Sequence, residues 1–296
     1  MRTIEVVDPG ALATVQDLGR PGLASLGVGV SGAADTRSLR LANRLVGNDE
    51  GLAAVEVTFG GLTIRARTDL LVAVTGAPCP ILLDGAPQGL NAPIALPADT
   101  ELRLLAPPVG LRSYVAFRGG IDIEPVLGSR SCDVMADLGP PPLAVGTVLP
   151  VGAPPLRFPA VDVAPVPAPS ADDIVLRIVP GPRSEWFTTE ALDLLTTSAF
   201  VVTSESNRVG MRLDGPELVR RRTEELPSEG MVSGALQVPP AGRPTLFLAD
   251  HPVTGGYPVV GVVVTDDIPA AAQARPGQCL RFRVPADSPS QLGDSS

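Results

Sequence analysis

Lysine is absent from this chain: all 23 basic residues among its 296 positions are arginine. The absence excludes a Schiff-base lysine, a phosphate-binding P-loop lysine and a biotinylated lysine from the chain. Any contact with a phosphate group must therefore use arginine, backbone N–H groups, hydroxyl groups or a metal ion held by carboxylates. Histidine occurs once, so His251 is the only imidazole available for acid–base chemistry.

Cysteine, positive charge and long apolar runs are scarce as well. Cys79, Cys132 and Cys279 are far apart and form no C-x-x-C motif, which argues against a zinc site or a disulfide framework. The net charge of −9 argues against nucleic acid or an anionic membrane surface as a partner. The start, MRTIEVVDPG, lacks the apolar region of a signal peptide, and the longest apolar runs are of strand length. We therefore expect a cytoplasmic protein without a metal site.

Short apolar segments dominate the pattern and predict a mainly β protein. Aromatic residues make up only 3% of the chain, so the core must be built from Val, Leu, Ala and Ile. Helical spacing of apolar residues occurs over Ala33–Val46 and Arg183–Leu195. Strands bounded by Gly, Pro, Asp or Asn are predicted over Thr3–Val7, Ala53–Phe59, Leu70–Thr75, Glu101–Leu105, Ser113–Phe117, Ile174–Val179, Phe200–Thr203, Thr245–Ala249, Val259–Thr265 and Cys279–Val284.

A turn that leads into a strand recurs at Leu96–Leu105, Leu143–Val151 and Ala274–Val284. Such repeated corners are typical of closed or nearly closed antiparallel barrels. The Pro-rich stretch Pro154–Pro169 cannot form a helix or a central strand and is interpreted as a linker or strap. The prediction is a pair of β-rich domains, residues 1–153 and 171–285, joined by a linker at 154–170 and followed by a disordered tail at 286–296.

The strongest candidate for a site follows the apolar run Leu246–Ala249, where Asp250, His251 and Thr254 precede a Gly-Gly turn. A strand that enters such a turn lets backbone N–H groups approach a ligand, and a carboxylate, an imidazole and a hydroxyl converge there. The alternative is a hairpin whose polar residues only form the turn. Asp250 is the candidate general base or metal ligand, and a lone histidine is more often structural than catalytic. The candidate catalytic pair is Asp250 and His251, and the candidate substrate or phosphate contacts are Thr254, Gly255, Gly256 and Tyr257.

Polar segments near the N-terminus form a second candidate. Gln16, Asp17 and Arg20 lie close together in TVQDLGR, where Asp17 and Arg20 are alternatively a simple salt bridge. Ser31 and Gly32 open the first predicted helix, which would make them an anion site. Ser31 is equally well explained as an ordinary N-cap. Asp35 is a further candidate contact, and its alternative role is to complement the helix dipole.

Three further segments combine polar residues with glycine. Arg118 and Gly119 end a strand, where they either clamp a carboxylate or form a bulge. The loop that contains Asn207, Arg208 and Arg212 is either a recognition loop or a solvated turn, and Gln237 leads into the Asp250 segment. The run Arg220–Glu225, RRRTEE, is interpreted as a solvated charge run without a role.

These segments together resemble a known family. TVQDLGRPG, GVSGAADTRSLRLANRLVGN, YVAFRGGID, LGSRS, NRVGMRL, SEGMVSGALQVPP and DHPVTGGYP occur in the order typical of the biotin-dependent-carboxyltransferase-like family, also called allophanate hydrolase subunit 2 or KipA-like. The resemblance extends from Thr3 to Val284. It implies two tandem cyclophilin-like β-barrel domains with a few short helices, in agreement with the repeated corners.

The family's members include the C subunit of bacterial ATP-dependent 5-oxoprolinase and a part of urea carboxylase. The resemblance implies a subunit, inactive alone, of an amide hydrolase that opens 5-oxoproline to L-glutamate through a phosphorylated lactam. ATP with Mg²⁺ would act in the complex, and the partners would be a KipI-like B subunit and a LamB/YcsF-like A subunit. The resemblance also implies that the substrate carboxylate is held by an arginine, one of Arg20, Arg118, Arg208 and Arg212. The activated carbonyl or phosphate would be faced by Asp250 and the Thr254–Gly256 turn.

Two alternative functions are also compatible with this resemblance. A biotin-dependent carboxyltransferase acting on urea or another amide would need biotin on a separate carrier, because the chain has no lysine. A KipA-like regulator would instead bind a KipI-like kinase inhibitor.

The chain departs from the family's pattern at two places. An arginine that the family tends to have after LGSRS is missing from Ala136–Pro142, and His251 and Pro252 replace a common Arg-Gln pair. If those positions contact substrate, this chain has either a different specificity from its relatives or no activity.

Overall fold

The computed structural model describes residues 2–156, 158–159 and 161–285, so the predicted tail at 286–296 lies outside the described residues. The chain divides into two compact units. Of the described residues, the first contains those up to Leu26 and those from Val30 to Ser170, and the second contains Gly27–Gly29 and those from Ala171 onward. Among the described residues, no helix has the length and apolar character needed to cross a membrane. The predicted mainly β class is confirmed.

The described residues of the first unit form two β-sheets and one α-helix, with a 3-10 turn at Ala24–Leu26. Their orders are β11-β1-β4-β9-β6-β7 and β2-β3-β10-β5-β8, with all neighbours antiparallel. The elements are β1 (Thr3–Pro9), β2 (Leu12–Gln16), α1 (Thr36–Leu45), β3 (Ala54–Thr58), β4 (Leu62–Ala66), β5 (Leu70–Gly76), β6 (Ile81–Leu83), β7 (Ala86–Gln88), β8 (Pro93–Leu96), β9 (Glu101–Leu104), β10 (Arg112–Phe117) and β11 (Val148–Pro150).

The second sheet is covered on both faces. One face packs against the first sheet in an apolar core that includes Ile64, Val72 and Val115. The other face packs against α1, through a smaller cluster that includes Leu39 and Tyr114. Every side chain of β10 is therefore buried, and the polar members of this strand must find partners inside the protein.

Helix α1 begins later than predicted, and this corrects the interpretation of Ser31. The N-cap is Asp35, whose carboxylate accepts a hydrogen bond from the backbone N–H of Ser38. Ser31 and Gly32 have φ angles of 53° and 92° and belong to the turn before the helix. The N-cap of α1 is therefore Asp35 and not Ser31, and a substrate or phosphate contact of Ser31 and Gly32 stays a prediction.

The second unit contains a closed barrel of seven strands in the order β12-β19-β16-β17-β14-β13-β20. Phe200 and Phe282 pack against each other in its core, with ring centroids 5.7 Å apart. A separate two-stranded ribbon pairs β15 with β18. The strands are β12 (Ile174–Pro180), β13 (Ala199–Val202), β14 (Gly210–Asp214), β15 (Glu229–Gly230), β16 (Ala235–Gln237), β17 (Thr245–Phe247), β18 (Thr254–Gly255), β19 (Val259–Val263) and β20 (Cys279–Arg283).

The predicted helix Arg183–Leu195 is in fact two elements. A 3-10 turn covers Ser184–Trp186, and α2 begins at Thr189 behind the N-cap Thr188 and continues to Thr197. The chain is extended at Phe187 and Thr188, which separates the two. The short helix α3 (Ile268–Ala271) follows β19.

The ten predicted strands and the three turn-to-strand corners are confirmed to within a few residues at their ends. The Pro-rich segment belongs to the first unit. There the Pro155 carbonyl accepts a hydrogen bond from Arg118, and the Ala164 N–H donates to the Asn91 carbonyl. It therefore lies along this unit as a strap.

Candidate functional site

In the first unit, the Asp17 carboxylate organises the loop that follows β2. It accepts hydrogen bonds from the backbone N–H of Gly19 at 2.7 Å and of Arg130 at 2.6 Å. The hydroxyls of Ser129 and Ser131 each donate to it at 2.6 Å. Four donors on two separate segments thus converge on one buried carboxylate, which makes Asp17 a centre of local order.

Arg20 and Gln16 lie inside the protein beside the same loop. Arg20 is only 2% exposed and donates to the backbone carbonyls of Ser131 and Val126, while Gln16 donates to Thr14 and Cys132. Within the described residues, the Nη1 atom of Arg20 and the Oε1 atom of Gln16 are buried without a hydrogen-bond partner. Because neither side chain is open to solvent here, direct contact with a substrate would require this loop to move.

The turn before α1 is held by a buried network that the sequence did not reveal. The Asp35 N–H donates to the Tyr114 hydroxyl at 2.7 Å, and that hydroxyl donates to the Glu56 carboxylate at 2.7 Å. Glu56 also accepts from the Ala34 N–H at 2.9 Å, and Arg112 lies 3.6 Å from its other oxygen. A single carboxylate in the apolar run of β3 was the signal that could have indicated it.

Replacing Tyr114 with phenylalanine is expected to lower the free energy of unfolding by about 1–3 kcal/mol, because the Asp35 N–H loses its acceptor and Glu56 loses a donor inside the protein. Chemical denaturation at neutral pH measures this loss. Thr196→Val is the matched control, since the Thr196 hydroxyl bonds only to carbonyls of its own helix. A Tyr114 variant as stable as the wild type would contradict the network.

The same variant is expected to change the pH dependence of stability. Burial, and then the charge of Glu56, raise the pKa of Tyr114 well above its usual value. An unfolded tyrosine ionises near about pH 10, so this group's contribution to stability is complete below that pH and is lost as the pH rises toward the folded-state pKa. Tyr114→Phe should therefore lose less stability than the wild type between neutral pH and the alkaline range. Parallel curves for the two proteins would be the contrary result.

Arg118 and Gly119 have structural partners. The Arg118 guanidinium donates to the carbonyl of Val46, just beyond α1, and to that of Pro155, and it lies 4.7 Å from the centre of the Phe158 ring. The Gly119 N–H donates to the side chain of Asn48. A Cβ atom at Gly119 would collide with the Gly152 carbonyl, and φ is +106°, so glycine is required here. These contacts favour the bulge over the carboxylate clamp.

In the second unit, Asp250 and Arg208 form a buried ion pair. Nε and Nη2 of Arg208 lie 2.9 Å and 2.8 Å from the two carboxylate oxygens of Asp250, and both side chains are almost fully buried. Such a two-point bond fixes both groups. It favours a positioning role for the pair, and the assignment of Asp250 as a general base or a metal ligand stays a prediction.

His251 and the Gly-Gly turn lie beside this pair in the sequence. The Nδ1 atom of His251 lies 2.8 Å from the Pro252 carbonyl, which fits a protonated Nδ1 that donates to it. Thr254 and Gly255 form β18 and pair with β15. A Cβ atom at Gly255 would collide with the amide of Gln237, so the absence of a side chain allows this close approach.

Gln237 connects the barrel to the end of this turn. Its amide donates to the Tyr257 carbonyl at 3.1 Å, and the Tyr257 side chain is 44% exposed. The Asn207 side chain accepts from two backbone N–H groups of its own turn, those of Val209 and Gly210. Arg212 is exposed and pairs with Glu205. The structure thus places Gln237 and Tyr257 together and gives Asn207 and Arg212 local partners.

The interpretation of Arg220–Glu225 as a solvated run without a role needs correction at its first residues. The guanidinium of Arg220 lies 5.8 Å from the centre of the Tyr257 ring, and that of Arg222 lies 6.0 Å from the centre of the Trp186 ring. A backbone hydrogen bond joins the run to the 3-10 turn Ser184–Trp186, since the Arg221 N–H donates to the Trp186 carbonyl. No local pattern signals this, because the contacts join segments far apart in the sequence.

The chemistry open to these residues is binding and orientation. Around the turn in the second unit lie a hydroxyl (Thr254), an amide (Gln237) and a guanidinium (Arg220). Burial raises the pKa of the Cys79 thiol in the first unit, so Cys79 is a poor nucleophile. The described part of the chain holds no group of three or more His, Cys, Asp or Glu residues suited to a metal ion.

Comparison with known proteins agrees with this architecture. Residues 26–284 match the model of the carboxyltransferase domain, subdomain A and B. The chain is 36% identical to the C subunit of 5-oxoprolinase from Escherichia coli K12 over 286 residues, covering 94% of this chain and 90% of that protein. It is 32% identical to urea amidolyase of Lachancea kluyveri over 94% of this chain, but over only 17% of that protein.

A solved structure extends the comparison to the fold. The crystal structure of the Kluyveromyces lactis urea carboxylase superposes with a TM-score of 0.90 at 30% identity, over 95% of this chain and 27% of that one. This chain therefore corresponds to about a quarter of that longer enzyme. From the match over residues 26–284 and the extended identity to these relatives, the chain belongs to the carboxyltransferase domain family of subdomains A and B.

Proposed function

We propose that this chain is the C subunit of an ATP-dependent 5-oxoprolinase complex, which opens the lactam of 5-oxoproline to give L-glutamate. The observation that carries the proposal is the 36% identity to the C subunit of a 5-oxoprolinase, which extends over 90% of that protein. The urea amidolyase match covers 94% of this chain but only 17% of its counterpart.

The proposed reaction begins with a poor electrophile, an amide. Transfer of the γ-phosphoryl group of ATP to the lactam oxygen forms an O–P bond and releases ADP, which makes the ring carbon open to attack. Water then forms a bond to that carbon and the C–N bond breaks, which gives the free amine and an acyl phosphate. A second water attacks the acyl carbon, and phosphate leaves with the former lactam oxygen, so that the carboxylate of L-glutamate carries one oxygen from each water. The residues of the turn in the second unit bind and orient the substrate in this proposal.

The described residues offer Mg²⁺ no site built from protein groups alone. The described residues contain no cluster of three or more carboxylate, imidazole or thiol groups, and the chain has no lysine for a P-loop. We assign ATP with Mg²⁺ to the complex, and no step through them to this chain. A KipI-like B subunit and a LamB/YcsF-like A subunit complete the proposed complex, and the chain alone is proposed to be inactive.

A second function is supported by the family model and by one of the solved structures. The matching family model describes a carboxyltransferase domain, and the similar fold is found in a urea carboxylase. Under this alternative the chain moves a carboxyl group from biotin to urea or another amide. The biotin must then be attached to another protein, since no lysine is present.

The test is an ATPase assay of the chain purified together with its B-type and A-type partners. The proposal predicts ATP hydrolysis that depends on 5-oxoproline and yields L-glutamate and phosphate in equal amounts. Urea with a carboxylated biotin carrier is the comparison substrate. Activity with urea and the carrier, and none with 5-oxoproline, would replace the proposal by the carboxyltransferase alternative.

A further inference from the structure

The arginine best suited to hold an anionic substrate group is not among the four candidates that the sequence suggested. Arg20 is enclosed, and Arg118 is bonded to backbone carbonyls on two sides. Arg208 is neutralised by a buried carboxylate, and Arg212 forms an exposed ion pair. Arg220 remains. Among the described residues of the second unit, it is the one arginine whose guanidinium lies over the ring of Tyr257, at the end of the Gly-Gly turn.

Arg220 has unused hydrogen-bonding capacity. Its Nη2 atom donates to the Val238 carbonyl, whereas its Nε atom is buried without a hydrogen-bond partner within the described residues. Among those residues it also forms no ion pair. The Nη1 atom of Arg220 also has no hydrogen-bond partner among those residues, and unlike Nε it is not enclosed, so the Nη1 edge of the guanidinium is the part that an anion can reach. A guanidinium whose donors lack acceptors is costly, and an anion at this edge lowers that cost.

The surroundings hold Arg220 in place. Its backbone forms a bridge with Phe187, and its guanidinium packs near the Tyr257 ring. Tyr257 is in turn fixed by the hydrogen bond from Gln237 to its carbonyl. The carboxylate of the ribbon, Glu229, is paired with Arg183 and so does not neutralise Arg220.

We propose that Arg220 and Tyr257 form an anion subsite beside the Thr254–Tyr257 turn, which takes the carboxylate of a small amide. The planar guanidinium matches a carboxylate in a two-point bond, and the half-exposed phenol ring supports the flat body of the ligand. The identity of the ligand rests on the proposed function, because 5-oxoproline is an amide that carries a carboxylate. The lining residues all come from the second unit, so the chain alone should bind.

Titration calorimetry on the purified chain tests the subsite with four probes: 5-oxoproline, N-acetylglycine, the uncharged lactam pyrrolidone and inorganic phosphate. Arg220→Gln is expected to weaken both carboxylate probes by about tenfold to a hundredfold, and pyrrolidone by much less. Arg222→Gln removes the same charge two residues away and should bind like the wild type. Arg220→Lys keeps the charge and loses the planar fork, so an intermediate affinity is expected.

Several results would overturn the subsite. They are equal binding by the wild type and Arg220→Gln, binding of phosphate in place of carboxylates, and no binding of any probe to the wild type. Thermal unfolding of each variant shows whether it is folded. If Arg220→Gln does not fold, Arg220→Lys takes its place in the test, because lysine keeps a long side chain with a donor for the Val238 carbonyl. N-acetylglycine separates this inference from the proposed function. If N-acetylglycine binds through Arg220 but the complex does not hydrolyse 5-oxoproline, the subsite is supported and the proposed function fails. If the complex hydrolyses 5-oxoproline but Arg220→Gln binds the probes like the wild type, the proposed function is supported and the subsite fails.

Discussion

Replacing Asp250 with asparagine is expected to lower the free energy of unfolding of the second unit by about 3–5 kcal/mol. The variant leaves the Arg208 charge inside the protein without its carboxylate, where burial of an uncompensated charge is costly. Urea denaturation followed by fluorescence measures the effect, because the only tryptophan, Trp186, lies in this unit. A change of less than about 1 kcal/mol, as expected for an exposed pair, would contradict the buried ion pair.

Two further variants serve as controls for this prediction. Glu205→Gln breaks the exposed pair with Arg212 and should cost no more than about 1 kcal/mol. Arg208→Met combined with Asp250→Leu removes both charges, and it should be more stable than Asp250→Asn alone. Asp250→Asn also decides the catalytic assignment, since full activity of a complex that contains it would exclude Asp250 as a general base.

Replacing Asp17 with alanine is expected to lower the stability of the first unit by about 2–4 kcal/mol, because buried donors then lose their acceptor. The four affected donors are two backbone N–H groups and two serine hydroxyls. Calorimetry measures the loss, and hydrogen exchange at Gly19 and Arg130 should accelerate locally. Asp8→Ala is the control, since Asp8 accepts one exposed hydrogen bond from Gly10. Equal unfolding temperatures for the two variants would contradict the role of Asp17 as a local centre.

The strands were predictable because their signal is local. An apolar run such as Leu70–Gly76 is bounded by polar residues or glycine, and that pattern is sufficient to place β5. The start of α1 was harder to predict from the sequence, because Ser31 and Asp35 are both residue types that are common as N-caps. Only the path of the chain decides between them, and the left-handed φ angles at Ser31 and Gly32 delay the helix to Thr36.

The candidate site was predictable in its segments but not in its pairs. The sequence identified Asp250 and Arg208 separately, 42 residues apart, and it gave no reason to join them. Glu56 and Tyr114 were missed because a polar residue in a strand normally faces solvent, whereas β3 and β10 are covered on both faces. Arg220 was missed because the charges around it are typical of a solvated surface. Pairings of this kind arise from tertiary structure and leave no local trace.

The most direct test of the proposed function is the formation of L-glutamate from 5-oxoproline and ATP by the partner subunits as this chain is added. No glutamate is expected from the partners alone or from this chain alone. The rate is expected to rise with the amount of added chain until the complex is saturated. Glutamate formation at the full rate without this chain would contradict its assignment as a required subunit.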